Sequence, residues 1–168
     1  MNTFRAFVFI CSLATIATSS HAQNLTEYGD WLVFQDKENG NLACVMSSVP
    51  QKSQGKYTSR GQIFAVVTHR PAEKRFNEFS FQAGYTFKGG AEIAVAIDKK
   101  RTFTLFTNAG HAWAKDAQGD KDLIKAMRAG NTMVVRGISS RGTITTDTFS
   151  LKGFSAAIKA INAACKVQ

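Results

Sequence analysis

Nine short runs rich in β-branched and aromatic residues, each bounded by polar turns, set the narrowest limit on what this chain can become. They are GDWLVFQD (29–36), LACVMSSV (42–49), RGQIFAVVTH (60–69), FNEFSFQA (76–83), AEIAVAI (91–97), RTFTLFT (101–107), HAWAKD (111–116), NTMVVRGIS (131–139) and TITTDTFS (143–150). Strand starts spaced by about ten residues, with turns such as ENGN, KGG, DKKR, NAG and SSRG between them, are the pattern of an antiparallel sandwich or barrel. Phe79, Phe81 and Ala83 alternate with polar partners, which predicts a strand buried on one face. The unbroken apolar run Ile63 to Val67 belongs nearer the middle of the fold, and Trp31 and Trp113 read as core anchors.

Two segments leave this period. GDKDLIKAMRAGN places Leu123, Ile124 and Met127 on one helical face, with Asp120 positioned to cap the start and Gly130 to end it. The closing segment sets Phe154, Ile158, Ile161 and Cys165 in a single helical stripe that must lie on the sheet. The expected class is therefore all-β, with one short internal helix and a C-terminal helix.

The first residues have the layout of a secretory signal peptide. Arg5 supplies the positive N-terminal charge, an apolar stretch runs from Ala6 to Ala17, and Ser20-His21-Ala22 is a small-residue exit. Cleavage after Ala22 leaves residues 23–168 as one domain, and the apolar stretch is too short to cross roughly 30 Å of hydrocarbon. Arg5 is the only charge in the removed segment, so a net charge of +9 becomes +8. Such a surplus favours anionic surfaces. Cys11 leaves with the signal. Cys44 and Cys165 remain as an even pair in an oxidising compartment, which predicts a disulfide between them, clipping the last helix to the second strand.

Chemistry is harder to find. No Gly-x-Ser-x-Gly elbow, phosphate-cradling loop, dinucleotide fingerprint or zinc spacing occurs. No catalytic residue, cofactor or metal is therefore expected. His69 and His111 are the two histidines with which a periplasmic hydrolase could work, and nothing in the sequence pairs either with a serine or an acid. Asp116, Asp120 and Asp122 crowd AKDAQGDKD, but their spacing is not that of a calcium loop, Lys115 and Lys121 sit among them, and helix capping with an acidic first turn accounts for Asp120 and Asp122. Positive charge gathers at two turns, in Arg70, Lys74 and Arg75 and in Lys99, Lys100 and Arg101. These six are the candidate contacts for an anionic partner on the envelope or a host surface. The aromatics are not interleaved with basic residues as a nucleic-acid platform requires.

Read in order, GDWLVF, LACVMSSVP, RGQIFAVVTHRP, GYTFKGG with AIDKKRTFTLFT, AWAKD, and AMRAGNTMVVRGISSRGTITTDTFSLKGFSAA with its final cysteine resemble the invasion-associated locus B family of exported bacterial proteins. The resemblance covers essentially all of residues 23–168, and SLKGFSAA is its most specific piece. It implies an immunoglobulin-like β-sandwich, in the periplasm or associated with the outer membrane. The family takes its name from entry into host cells, chiefly erythrocytes. With no catalytic motif in the chain, a non-enzymatic interaction module is expected; a periplasmic hydrolase using His69 or His111, or a purely structural envelope protein, is the alternative.

Overall fold

The computed structural model describes residues 25–167; the expected signal peptide, residues 1–22, lies outside them. Eleven strands follow one another in the chain: β1 (Thr26–Tyr28), β2 (Trp31–Glu38), β3 (Asn41–Ser48), β4 (Lys52–Gly55), β5 (Phe64–Arg70), β6 (Arg75–Gln82), β7 (Glu92–Ile97), β8 (Arg101–Asn108), β9 (His111–Trp113), β10 (Thr132–Ile138) and β11 (Ile144–Ser150). Helix α1 (Ala117–Ala129) precedes β10, and α2 (Phe154–Ala164) closes the chain. All strand pairings are antiparallel, in the order β1-β2-β3-β5-β6-β9-β8-β7-β10-β11-β4.

This is the expected antiparallel sandwich, made from a single hydrogen-bonded sheet that coils over on itself. The rings of Phe81 on β6 and Phe149 on β11 meet edge to face at 6.1 Å, although four strands separate β6 from β11 in the sheet. Period-2 alternation supplies both inner faces. Phe79, Phe81 and Ala83 point inward from one side, and Val135, Met133 and Phe149 from the other, all fully buried. Ala65 and Val67 are fully buried as well.

The helices cover what the sheet leaves open. In α1, Leu123, Ile124 and Met127 are buried as expected, and Gly130 ends the helix. Its start differs from expectation: the N-cap is Asp116, whose carboxylate accepts from the Gly119 N–H at 2.8 Å. Capping by Asp116 also ends β9 at Trp113, so HAWAKD is a strand over only its first three residues. In α2 the stripe Phe154, Ile158, Ile161 and Cys165 is buried throughout. Cys165 is bonded to Cys44 of β3, 121 positions away in sequence, with Cα atoms 6.0 Å apart.

The start of α2 is also where the chain's two ends interlock. Gly153 sits in the left-handed region (φ +88°) against the carbonyl of Tyr28, and a Cβ there would overlap that oxygen. Facing it, a Cβ on Gly29 would lie 2.6 Å from the Lys152 carbonyl oxygen. Only two glycines let these backbones cross so closely. Asp30 N–H donates to the Lys152 carbonyl at 3.0 Å, and the Trp31 indole N–H donates to the Ser150 carbonyl at 3.1 Å. Trp31 then meets Phe154 edge to face at 4.9 Å.

Candidate functional site

His69 lies in β5 and is fully buried. Its Nδ1 accepts from the Asn77 backbone N–H at 2.9 Å, so in the neutral ring Nε2 carries the proton and donates it to Asn162 Oδ1 at 2.8 Å. Burial lowers the ring's affinity for a second proton, and the bond to Asn162 only partly opposes this. Both nitrogens are thus committed, Nδ1 to β6 and Nε2 to α2, beside the disulfide, and neither faces a substrate. His111 is exposed at the start of β9 and stacks on Trp113 with ring centroids 5.7 Å apart. The two histidines are separated along β6 by the register from Asn77 to Gln82, about 17 Å at strand rise. Among the described residues no cluster of His, Cys, Asp or Glu is arranged to hold a metal.

Trp113 does not anchor the core. It lies on the outer face, half-buried between His111 and Phe106, whose ring is 5.6 Å away. Ala112 takes the inward position of this short strand.

Register brings the two basic turns to one end of the sheet. Ser80 of β6 faces Trp113, which faces Phe106 of β8, so β6 and β8 run side by side in the same direction with β9 between them. Counting back along each, Arg75 and Arg101 both stand five residues before the first pair with β9, at the same end of the two strands. The six candidate cations are not equivalent, however. Arg70 donates to Glu38 at 2.6 Å and to Glu78 at 2.8 Å. Arg75 pairs with Glu73 at 2.9 Å and also with Glu78. Hydrogen bonding to Glu38, and then to Glu78, raises the basicity of Arg70, while Glu73 and Glu78 do the same for Arg75. These two arginines tie turns together. By contrast, Lys74, Lys99, Lys100 and Arg101 are exposed and make no ion pair among the described residues. The Lys99–Lys100 turn is held from below by Asp98, whose carboxylate accepts from the N–H groups of Asn131 at 3.1 Å and Thr132 at 2.9 Å.

Asp120 stands beside this end, turned away from the helix cap that the sequence assigned to it. Its carboxylate accepts from the Phe79 N–H at 2.9 Å. Burial pushes its pKa up to about 6, the Phe79 N–H opposes that, and the neighbouring charges of Glu78 and Asp116 add to it. Below about pH 4 the folded and unfolded chains both hold this proton. Between there and pH 6 only the folded chain does, so stability falls as pH rises. Asp120→Asn keeps an acceptor for Phe79 and removes the ionisation. We expect it to raise stability at pH 7.5 by about 1 kcal/mol, a figure reduced for the group's partial exposure. Paired melting curves should show the advantage vanishing at pH 4; an advantage independent of pH would contradict this account.

At the opposite end of β7 and β10 lies a cleft that no sequence motif marks, with a volume of about 460 Å³. Arg60 forms its floor. The guanidinium makes a two-pronged pair with Asp147 of β11, both bonds 2.7 Å, and its Nε donates to the Ala83 carbonyl at 2.6 Å. The side chains are 4% and 1% exposed, so the pair is buried. Arg60 is also flanked by the rings of Tyr57 and Tyr85, at 5.6 and 4.8 Å. Burial disfavours the charge on Arg60, yet the hydrogen bond and charge of Asp147 outweigh it and keep the group protonated. A spacing of 87 residues separates the two partners, which is why no local motif marks them.

The family model described as invasion associated locus B (IalB) protein matches residues 31–162. Among solved structures, the crystal structure of invasion associated protein B from Bartonella henselae is similar, with a TM-score of 0.54 and 15% sequence identity. The match covers 84% of this chain and 97% of that one. At that identity the likeness shows a shared fold. No curated protein sequence matches the chain.

Proposed function

The chain belongs to the invasion associated locus B family, and from that premise we propose that it is an exported, non-enzymatic interaction module of the bacterial envelope. In this reading residues 1–22 direct export and are removed, and residues 23–168 form one domain in the periplasm or at the outer membrane. Among the described residues no helix is long and apolar enough to cross a membrane. The similarity to invasion associated protein B supports extending the reading to a host-surface partner.

One observation carries the binding role: the unpaired cations Lys74, Lys99, Lys100 and Arg101 gather at one end of the sheet, on turns anchored from beneath. Fixed turns presenting unpaired charge suit an anionic partner. The committed hydrogen bonds of His69 and the lack of any acid or nucleophile bonded to His111 among the described residues weigh against a hydrolase. Arg70 and Arg75 serve this surface indirectly, by fixing the turn that carries Lys74.

Co-sedimentation with purified outer-membrane fragments tests the proposal. Binding should fall steeply as salt rises through about 0.1 M, where exposed charges are screened over about 10 Å. The variant Lys99→Glu/Lys100→Glu/Arg101→Glu should lose binding at low salt while melting as the parent does, since exposed turn changes cost within about 0.5 kcal/mol each. His111→Ala should bind normally. Normal binding by the charge-reversed variant at every salt concentration would refute the proposal.

A further inference from the structure

The cleft over Arg60 and Asp147 is a second site, separate from the strand-end cations. The turn carrying Lys99 follows Ile97, whose partner is Met133 at the start of β10, whereas the cleft hairpin 139–143 lies beyond the other end of that strand. We propose that this cleft binds a phosphate monoester carried on a hydroxylated ring, the chemistry that a sugar phosphate presents. The inference does not rest on the function proposed above, and either can fail alone.

Three observations carry it. The first is that the cleft is built in advance. Gly61 N–H donates to the Gly84 carbonyl at 2.9 Å and Ser140 N–H to the Thr86 carbonyl at 2.8 Å, pinning both walls to the segment 84–86. Tyr85 Oη and Thr145 Oγ1, 2.7 Å apart, share a further bond across the floor. A volume of about 460 Å³ also falls within the range of small-ligand sites.

The second is the charge. Asp147 is the one acid in contact with the cleft floor, and Arg60 takes up both of its oxygens. Lys56 and Arg141, which line the mouth, are exposed and have no acidic partner among the described residues, leaving two positive charges unmatched. Two cations on opposite walls suit a dianionic phosphate better than a single carboxylate.

The third is the lining between them. The hydroxyls of Thr58, Ser59 and Ser140 make no hydrogen bond among the described residues, so donors and acceptors remain for the hydroxyls of a sugar. Tyr57, its ring over Arg60 and 37% exposed, offers an apolar surface beside them. An apolar ligand would leave all of these polar groups unmatched.

Backbone amide NMR on the oxidised protein provides the test. Glucose 6-phosphate should give saturable shifts at residues 56–60 and 139–145 and none at 98–101. Inorganic phosphate should shift the same amides more weakly, and glucose should be silent. Vesicles of phosphatidylcholine with phosphatidylinositol 4-phosphate present the same group on a membrane. Binding there while soluble glucose 6-phosphate is silent would support the site and assign its ligand to a lipid surface. Lys56→Ala/Arg141→Ala, confirmed folded by its spectrum, should bind at least tenfold more weakly, while Lys99→Glu/Lys100→Glu/Arg101→Glu should bind as the parent does. No shifts with glucose 6-phosphate, inorganic phosphate or the phosphoinositide vesicles at millimolar phosphate, equal binding of glucose, or undiminished binding by Lys56→Ala/Arg141→Ala would each overturn the proposal.

Discussion

Asp147→Asn is expected to destabilise the protein by about 3–5 kcal/mol, because it strands a buried guanidinium without its counter-charge. Arg60 is 4% exposed, and its two terminal nitrogens are satisfied only while both Asp147 oxygens accept. Asparagine offers one acceptor and turns an NH₂ group toward a cation. Removing both charges should be far milder. Arg60→Met with Asp147→Leu keeps volume in the site, and buried pairs replaced by apolar side chains are often neutral. The double variant should therefore be more stable than Asp147→Asn alone, in urea unfolding followed by tryptophan fluorescence. Equal losses for the single and double variants would show that the pair's charges are not what the site depends on. The cleft walls should loosen in the single variant, since the loop around Arg60 hangs on this contact and on the Ala83 carbonyl.

Cys165→Ser is expected to cost a similar amount. Closing a loop across 121 residues removes about 4–5 kcal/mol of unfolded-state entropy in the chain-entropy model. We expect a melting point lower by roughly 10–15 °C, with the loss concentrated in α2. Hydrogen exchange of residues 154–164 should rise more than that of β6 or β10. Reduction of the parent under partly unfolding conditions should reproduce the effect, because both cysteines are buried in the folded state. An unchanged melting point with unchanged protection of α2 would mean that the apolar stripe alone holds the helix.

Much of this fold could be read from the chain because alternation and burial coincide. The strands containing Phe79 and Phe81, or Val135 and Phe149, declare their inner faces residue by residue. What escaped was decided by tertiary pairing. TEY in β1 and KSQG in β4 are polar edge strands, shaped by their neighbours β2 and β11 rather than by any pattern of their own. Asp120 looked like a helix cap, but the Phe79 N–H of a neighbouring strand claimed its carboxylate and left the cap to Asp116. Trp113 looked like core by its size, while the register of β9 gives the inward place to Ala112.

The site divides in the same way. The clustered charges at 70–75 and 99–101 were visible, since composition is local. That Glu38 and Glu78 neutralise Arg70 depends on which strands are neighbours, and composition carries no such information. The cleft was wholly hidden, because its two halves lie in the segments 56–60 and 139–145 and meet only through β11.

The crossing of Gly29 with Gly153 bears on the order of events during synthesis. The indole of Trp31 waits for a carbonyl that lies 119 residues later in the chain. At about 5–20 residues per second, a growing chain lacks its closing piece for roughly 6–24 s. Sheets assembled from such distant partners also fold slowly. β2 can pair with β1 and β3 as soon as they emerge, but Trp31 stays without its carbonyl, and these strands without the helix that covers them, until the last residues have been made.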